Sequence, residues 1–142
     1  MPVPQSVITD YGFRVHAPGY ITPADARAWF EDLRGRVLAL DGRPFGLLMD
    51  SRTQRSNPPD TQEFIRTAMA WLREQGLERS AVVLDSTVAL IPLLRAAKST
   101  GVYAYERYLD AEKDTQWEQK AEDWIVRGID PDLTQPPAKP SR

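Results

Sequence analysis

The chain has no cysteine, which excludes thiol nucleophiles, thiolate metal sites and disulfides. It has one histidine, His16, in an expected strand with no serine or carboxylate beside it in sequence, so neither a catalytic triad nor a histidine metal pair is assembled locally. The 8 glycines are isolated, and neither a P-loop nor a Gly-x-Gly-x-x-Gly run is present to cradle phosphate. The longest apolar stretch, Val88 to Leu94, holds seven residues and contains Pro92, whereas a membrane-spanning helix needs about twenty. Asp10 and Arg14 stand where the apolar core of a signal peptide would fall, so the expectation is a cytoplasmic, non-membrane-spanning protein. The formal net charge is -2 and basic residues are scattered. Nucleic-acid binding, which asks for a concentrated basic face, is not expected.

What the chain does have is the material for one domain. Its 142 residues, 42% hydrophobic and 27% charged, fit a single core that buries roughly two thirds of the unfolded surface. Two short apolar runs end in the same polar step. Phe45-Gly46-Leu47-Leu48-Met49-Asp50-Ser51 and Ala81-Val82-Val83-Leu84-Asp85-Ser86 each read as a buried strand followed by a helical pattern. Strands apolar on both faces that alternate with helices imply an α/β domain with a mixed, mostly parallel central sheet. Ligands in such folds sit beyond the carboxyl ends of the strands, where both Asp-Ser steps fall.

Around these runs the punctuation is readable. Ser6 to Thr9 and Phe13 to Ala17 flank Asp10-Tyr11-Gly12 and predict a hairpin. Thr22-Pro23-Ala24-Asp25 predicts a helix start capped by Thr22, and Ala26, Trp29, Phe30, Leu33, Val37 and Leu40 follow at helical spacing. Asp60 with Glu63 suggests a capping box for a second helix, with Phe64, Ala68, Met69, Trp71 and Leu72 on its apolar stripe. A third helix begins at Ser86 or Thr87 and runs to about Ser99; Pro92 either kinks it or delays its start to about Leu90. Val102 to Leu109 reads as an edge strand rich in tyrosine. Trp117, Ala121, Trp124 and Ile125 mark a last helix, and the end of the chain, residues 129–142, reads as a disordered Pro-rich tail following a domain at 1–128.

With its landmarks, this order resembles the SpoIIAA-like branch of the STAS superfamily, which is also similar to lipid-binding Sec14-type domains. The landmarks are Gly19-Tyr20-Ile21-Thr22-Pro23-Ala24-Asp25, Leu47-Leu48-Met49-Asp50-Ser51-Arg52, Arg79-Ser80-Ala81-Val82-Val83, and Glu106-Arg107-Tyr108-Leu109 followed by Ala121-Glu122-Asp123-Trp124-Ile125. The resemblance covers residues 6–127 and implies a sheet of about five strands with about four helices in a small cytoplasmic regulator. In sporulation-type members a phosphorylated Ser or Thr begins the helix after the central strand, within Asp-Ser-Ser-Gly-Leu. This chain lacks that motif; Ser56 and Thr61 lie nearest the corresponding place.

Three functional readings follow. The first is a non-enzymatic regulatory or small-ligand-binding module, with no cofactor. Its ligand would be anionic or lipidic, held by Arg52, Ser86 and Arg107 with Tyr105 as a flat wall, because strand ends and helix starts offer N–H groups to an anion. The second is a small enzyme using Asp50 and Asp85 as paired carboxylates, whose pKa values would rise if the two were close and buried. The third is a homodimeric interaction module or one with another protein partner, using the Tyr103-Tyr105 strip with Arg107, or an exposed apolar helix face. Glu112, Glu118, Glu122 and Asp123 are acidic but lack an accompanying His or Cys, and read as a solvated helix face rather than a metal site.

Overall fold

The computed structural model describes residues 4–53 and 57–134. One five-stranded sheet organises them: β1 (Gln5–Ile8), β2 (Gly12–His16), β3 (Phe45–Asp50), β4 (Leu77–Leu84) and β5 (Glu106–Asp110) lie side by side in sequence order. β1 and β2 form the antiparallel hairpin, and every later pairing is parallel. The connections are α1 (Pro23–Leu38), α2 (Pro59–Glu74) and α3 (Thr87–Thr100). All three crossovers step the same way across the sheet, and right-handed connections therefore place these helices on one face. α4 (Trp117–Glu122), continued by a π-helical turn over Asp123–Arg127, covers the other face, and a short α5 (Pro131–Thr134) follows.

Local chemistry accounts for the element ends. Thr22 accepts a hydrogen bond from the Asp25 backbone N–H at 3.1 Å while the Asp25 carboxylate accepts from the Thr22 N–H, closing a capping box on α1. α2 begins at Pro59 instead of Asp60: Pro58 occupies the cap position without a side-chain hydrogen bond, and Pro59 supplies the preset first-turn φ. α3 starts at Thr87, capped by the Ser86 side chain, and runs through Pro92, so the delayed start does not occur. Gly101, at φ +88, ends it in the left-handed region open to glycine.

That glycine also shortens the next strand. The chain leaves it as a 3-10 turn over Val102–Ala104, with Tyr105 N–H bonded to Val102 O at 3.1 Å, and β5 begins only at Glu106. The expected strand from Val102 is thus corrected, and Tyr103 and Tyr105 do not share a strand face.

Each sheet face has its own core. Against α1 and α2 pack Phe13, Val15, Phe45, Leu47 and Leu77, joined by Trp29, Leu33, Val37, Ala68 and Leu72, all nearly inaccessible. Against α4 pack Leu48, Ala81, Val83 and Leu109 with Trp117, Ala121, Trp124 and Ile125. The continuous apolar runs of β3 and β4 are explained by this double burial. On the α4 face, Ile125 lies so close to Gly46 that a Cβ there would meet Ile125 Cγ2 at 2.2 Å, so the absence of a side chain at Gly46 is what seats the π-helical turn on the sheet.

Candidate functional site

The strand ends beyond β2 and β3 carry the densest polar cluster. Period-two alternation puts Phe13 and Val15 in the core below α1 and turns Arg14 and His16 to the opposite face, where His16 pairs in register with Asp50. Asp50 is 2% exposed. Its carboxylate accepts from Arg52 Nε at 2.9 Å, from Arg52 NH2 at 2.8 Å and from the Arg52 backbone N–H at 3.2 Å. Arg14 NH2 stands 3.5 Å away and His16 Nδ1 3.6 Å away. Trp117, the first residue of α4, offers its ring to both guanidinium groups, with Arg52 at 4.7 Å and Arg14 at 5.7 Å from the centroid. Arg14 also donates to Glu118 at 2.5 Å.

Burial alone would raise the Asp50 pKa, but the Arg52 hydrogen bonds and charge, with a contribution from His16, bring it down to about 2. Asp50 is therefore an ionised anchor, and the raised pKa expected of a general acid is not found. Asp85 is exposed and makes no hydrogen bond or close ion pair among the described residues; its charge acts on Arg52, the residue that grips Asp50. At Asp50 the raised pKa expected of a carboxylate dyad is absent for a physical reason. Arg52, two residues along, satisfies Asp50 from its own turn.

At the neighbouring strand end, Ser86 accepts from the Ala89 N–H at 3.1 Å and serves as the helix cap. Thr87 donates its hydroxyl to Asp110 and its backbone N–H to Glu112, the latter at 3.1 Å. The polar groups here also bind one another.

The remaining proposed ligand residues lie elsewhere. β5 runs parallel to β4, and Arg107 pairs with Ala81, five positions before Ser86. That spacing amounts to ~16 Å of strand. Tyr105 and Arg107 thus sit at the amino end of the sheet while Arg52 and Ser86 sit at the carboxyl end, and the four do not form one pocket. The sequence order hid this because strand direction depends on the crossover. Arg107 is clamped where it lies, its guanidinium 3.7 Å from the Tyr103 centroid and 4.2 Å from that of Trp124. It donates to both Asp130 oxygens at 3.0 Å. Asp130 falls in the stretch the sequence assigns to the Pro-rich tail, and Tyr103 donates to Asp132 in the same stretch. Tyr105 lies with Arg73 of α2 over its ring at 4.0 Å.

Of the two phosphorylation candidates, Ser56 lies outside the described residues. Thr61 is fully buried, and its hydroxyl donates to Ile21 O at 3.0 Å, tying α2 to the segment before α1. A kinase would have to unpack that joint to reach it.

Besides Asp50 and the capping Asp25, a third buried carboxylate was not foreseen. Glu106, in register with Ser80, accepts from Ser80 Oγ at 2.6 Å and from Tyr108 OH at 2.5 Å. Burial, then the Glu106 charge and that hydrogen bond, push the Tyr108 pKa upward. Its only sequence signal was a Glu-x-Tyr pair at strand period. Among the described residues, no group of three or more His, Asp or Glu side chains is placed to hold a metal ion.

α3 differs from the other crossover helices. Val88 is 80% exposed, Ile91 46% and Leu93 43%, and Ala97 is the helix's one buried residue. α3 rests on β5 and the 3-10 turn at the end of the sheet, with no further strand beyond β5. No helix among the described residues is long and apolar enough to cross a membrane. No family model, curated protein or solved structure matches the chain.

Proposed function

We propose that this chain is a non-enzymatic regulatory module of the STAS-like type that acts by presenting the outer face of α3 to a protein partner. The observation that carries the reading is the exposure of Val88 and Ile91, which share one side of a helix that gives the core only Ala97. Large apolar side chains left in water side by side on one helix are characteristic of an interaction surface, and Val88 is the most exposed large apolar residue among those described. The strand order and the antiparallel first hairpin support the STAS-like comparison. The self-satisfied Asp50–Arg52 and Ser86 contacts argue for structural duty at the strand ends over chemistry there.

A photo-crosslinking amino acid at position 88, expressed in the native host, tests the reading. A discrete protein adduct at 88, absent from the same probe at exposed Glu63 on α2, is the expected result. No adduct at 88 above that control would refute it.

A further inference from the structure

We infer that the partner of α3 is a second copy of this chain, bound with its own α3 antiparallel across a two-fold axis near Ile91 and Pro92. This inference rests on the reading of α3 as an interaction surface and names its occupant. Val88, Ile91, Arg95 and Lys98 recur at steps of three, four and three, so they form one stripe along the helix. All four are exposed. The stripe is polarised. Asp85 stands at its amino-terminal end, joined by Glu112, which the Thr87 N–H holds there; apolar Val88 and Ile91 follow; Arg95 and Lys98 close the carboxyl-terminal end.

Such a stripe complements itself only when reversed. With the axis between positions 91 and 92, residue 88 lies level with 95 of the other copy, and Asp85, which precedes the extended Ser86 cap, falls beyond the amino-terminal end of the helix, toward Lys98 of the other copy. Ile91 then meets Ile91, the Arg95 stem covers Val88, and the acidic end formed by Asp85 and Glu112 faces Lys98 at both ends of the helix pair. A parallel arrangement would place acid against acid and base against base, which costs affinity. A two-fold contact is isologous and closed, so it makes a dimer and no filament. Asp85 and Arg95 make no hydrogen bond or close ion pair among the described residues; the Asp85 charge is felt by Arg52 of its own chain but leaves the exposed carboxylate unclamped. Lys98 lies over the Tyr103 ring at 5.0 Å, which holds its ammonium at the end of the stripe. The position of α3 at the end of the sheet leaves room for the second molecule.

Sedimentation equilibrium of the purified full chain tests this, with Asp85→Lys, Lys98→Asp and the double charge swap. The wild type should be a dimer whose dissociation rises with salt. Each single variant should weaken it about tenfold, and the double swap should recover within about threefold of wild type. Circular dichroism establishes that each variant is folded. A wild-type monomer, or a double swap no better than the singles, overturns the second-copy inference. If the wild type is a monomer while the probe at 88 captures a different protein, this inference fails and the proposed function stands. If the monomer instead floats with phosphatidylglycerol vesicles and no protein adduct forms, both fail.

Discussion

Arg52 grips Asp50 through Nε and NH2 at 2.9 and 2.8 Å, and the same guanidinium lies 4.7 Å from the centre of the Trp117 ring. One ion pair thereby joins the end of β3 to the start of α4, the helix that covers the second sheet face. Arg52→Ala would leave a nearly inaccessible carboxylate with Arg14 at 3.5 Å as its nearest cation. The expected cost is about 1–3 kcal/mol, read as a lower urea midpoint with an unchanged slope. An unchanged midpoint would mean that water reaches Asp50 freely.

The same pair sets the acid limit of stability. A carboxylate depressed to about 2 in the fold, against an ordinary 3.8, is more favourable folded wherever the unfolded chain has already ionised it. Its contribution of about 2 kcal/mol is complete above pH 4 and fades as pH falls through 2. Tyr103 sets an alkaline counterpart: burial, then its hydrogen bond to Asp132, push it up to about 12 from 10.0. Its contribution is complete below pH 10 and is lost as pH rises through 12. Denaturation midpoints across this range should therefore fall at both ends, and the acid fall should be shallower in Asp50→Asn, the remainder coming from Asp114 and Asp130, which Lys120 and Arg107 also hold below the usual carboxylate range.

Gly46→Ala should destabilise by about 1–3 kcal/mol, because the new Cβ falls on Ile125 Cγ2. Adding Ile125→Ala removes the clash, so the double variant should lose less than the sum of the singles. Strict additivity would show that the π-helical turn does not seat on Gly46.

Asp130→Ala should cost about 1–3 kcal/mol, since it strips the bidentate partner from Arg107, whose side chain is 10% exposed. Thermal melting against Asp132→Ala separates this from the Tyr103 contact. No loss in Asp130→Ala would return residues 129–134 to the role of an accessory tail.

Much of the fold was written in local pattern. Leu47, Leu48, Val83 and Leu84 are buried as their unbroken runs imply while Val82 is only half-buried, and Thr22 caps α1 as its position before Pro23 implies. The misread elements are those where one residue's backbone preference outweighs a side-chain pattern. Gly101 turns the tyrosine strip into a 3-10 turn, and Pro59 at the first helical position moves the cap of α2 from Asp60 to Pro58, two residues early. The site was less legible because its members meet only through strand register. Arg14 and His16 reach Asp50 across 36 and 34 positions of sequence, and Trp117 arrives from α4, which covers that same face. Arg52 and Arg107 are both arginines beside strands, and only the direction of β5 separates them to opposite ends of the sheet.

The account's central claim is that partners meet α3 while the strand ends hold the fold together. Crosslinking from position 88 tests it most directly when combined with Arg52→Ala and, separately, Ile91→Asp, each melted in parallel. The account predicts that Arg52→Ala melts lower yet keeps its adduct at temperatures where it is folded. Ile91→Asp should melt like the wild type and lose the adduct. The reverse pattern, with the adduct lost in folded Arg52→Ala and retained in Ile91→Asp, would place the interaction at the strand ends and contradict the account.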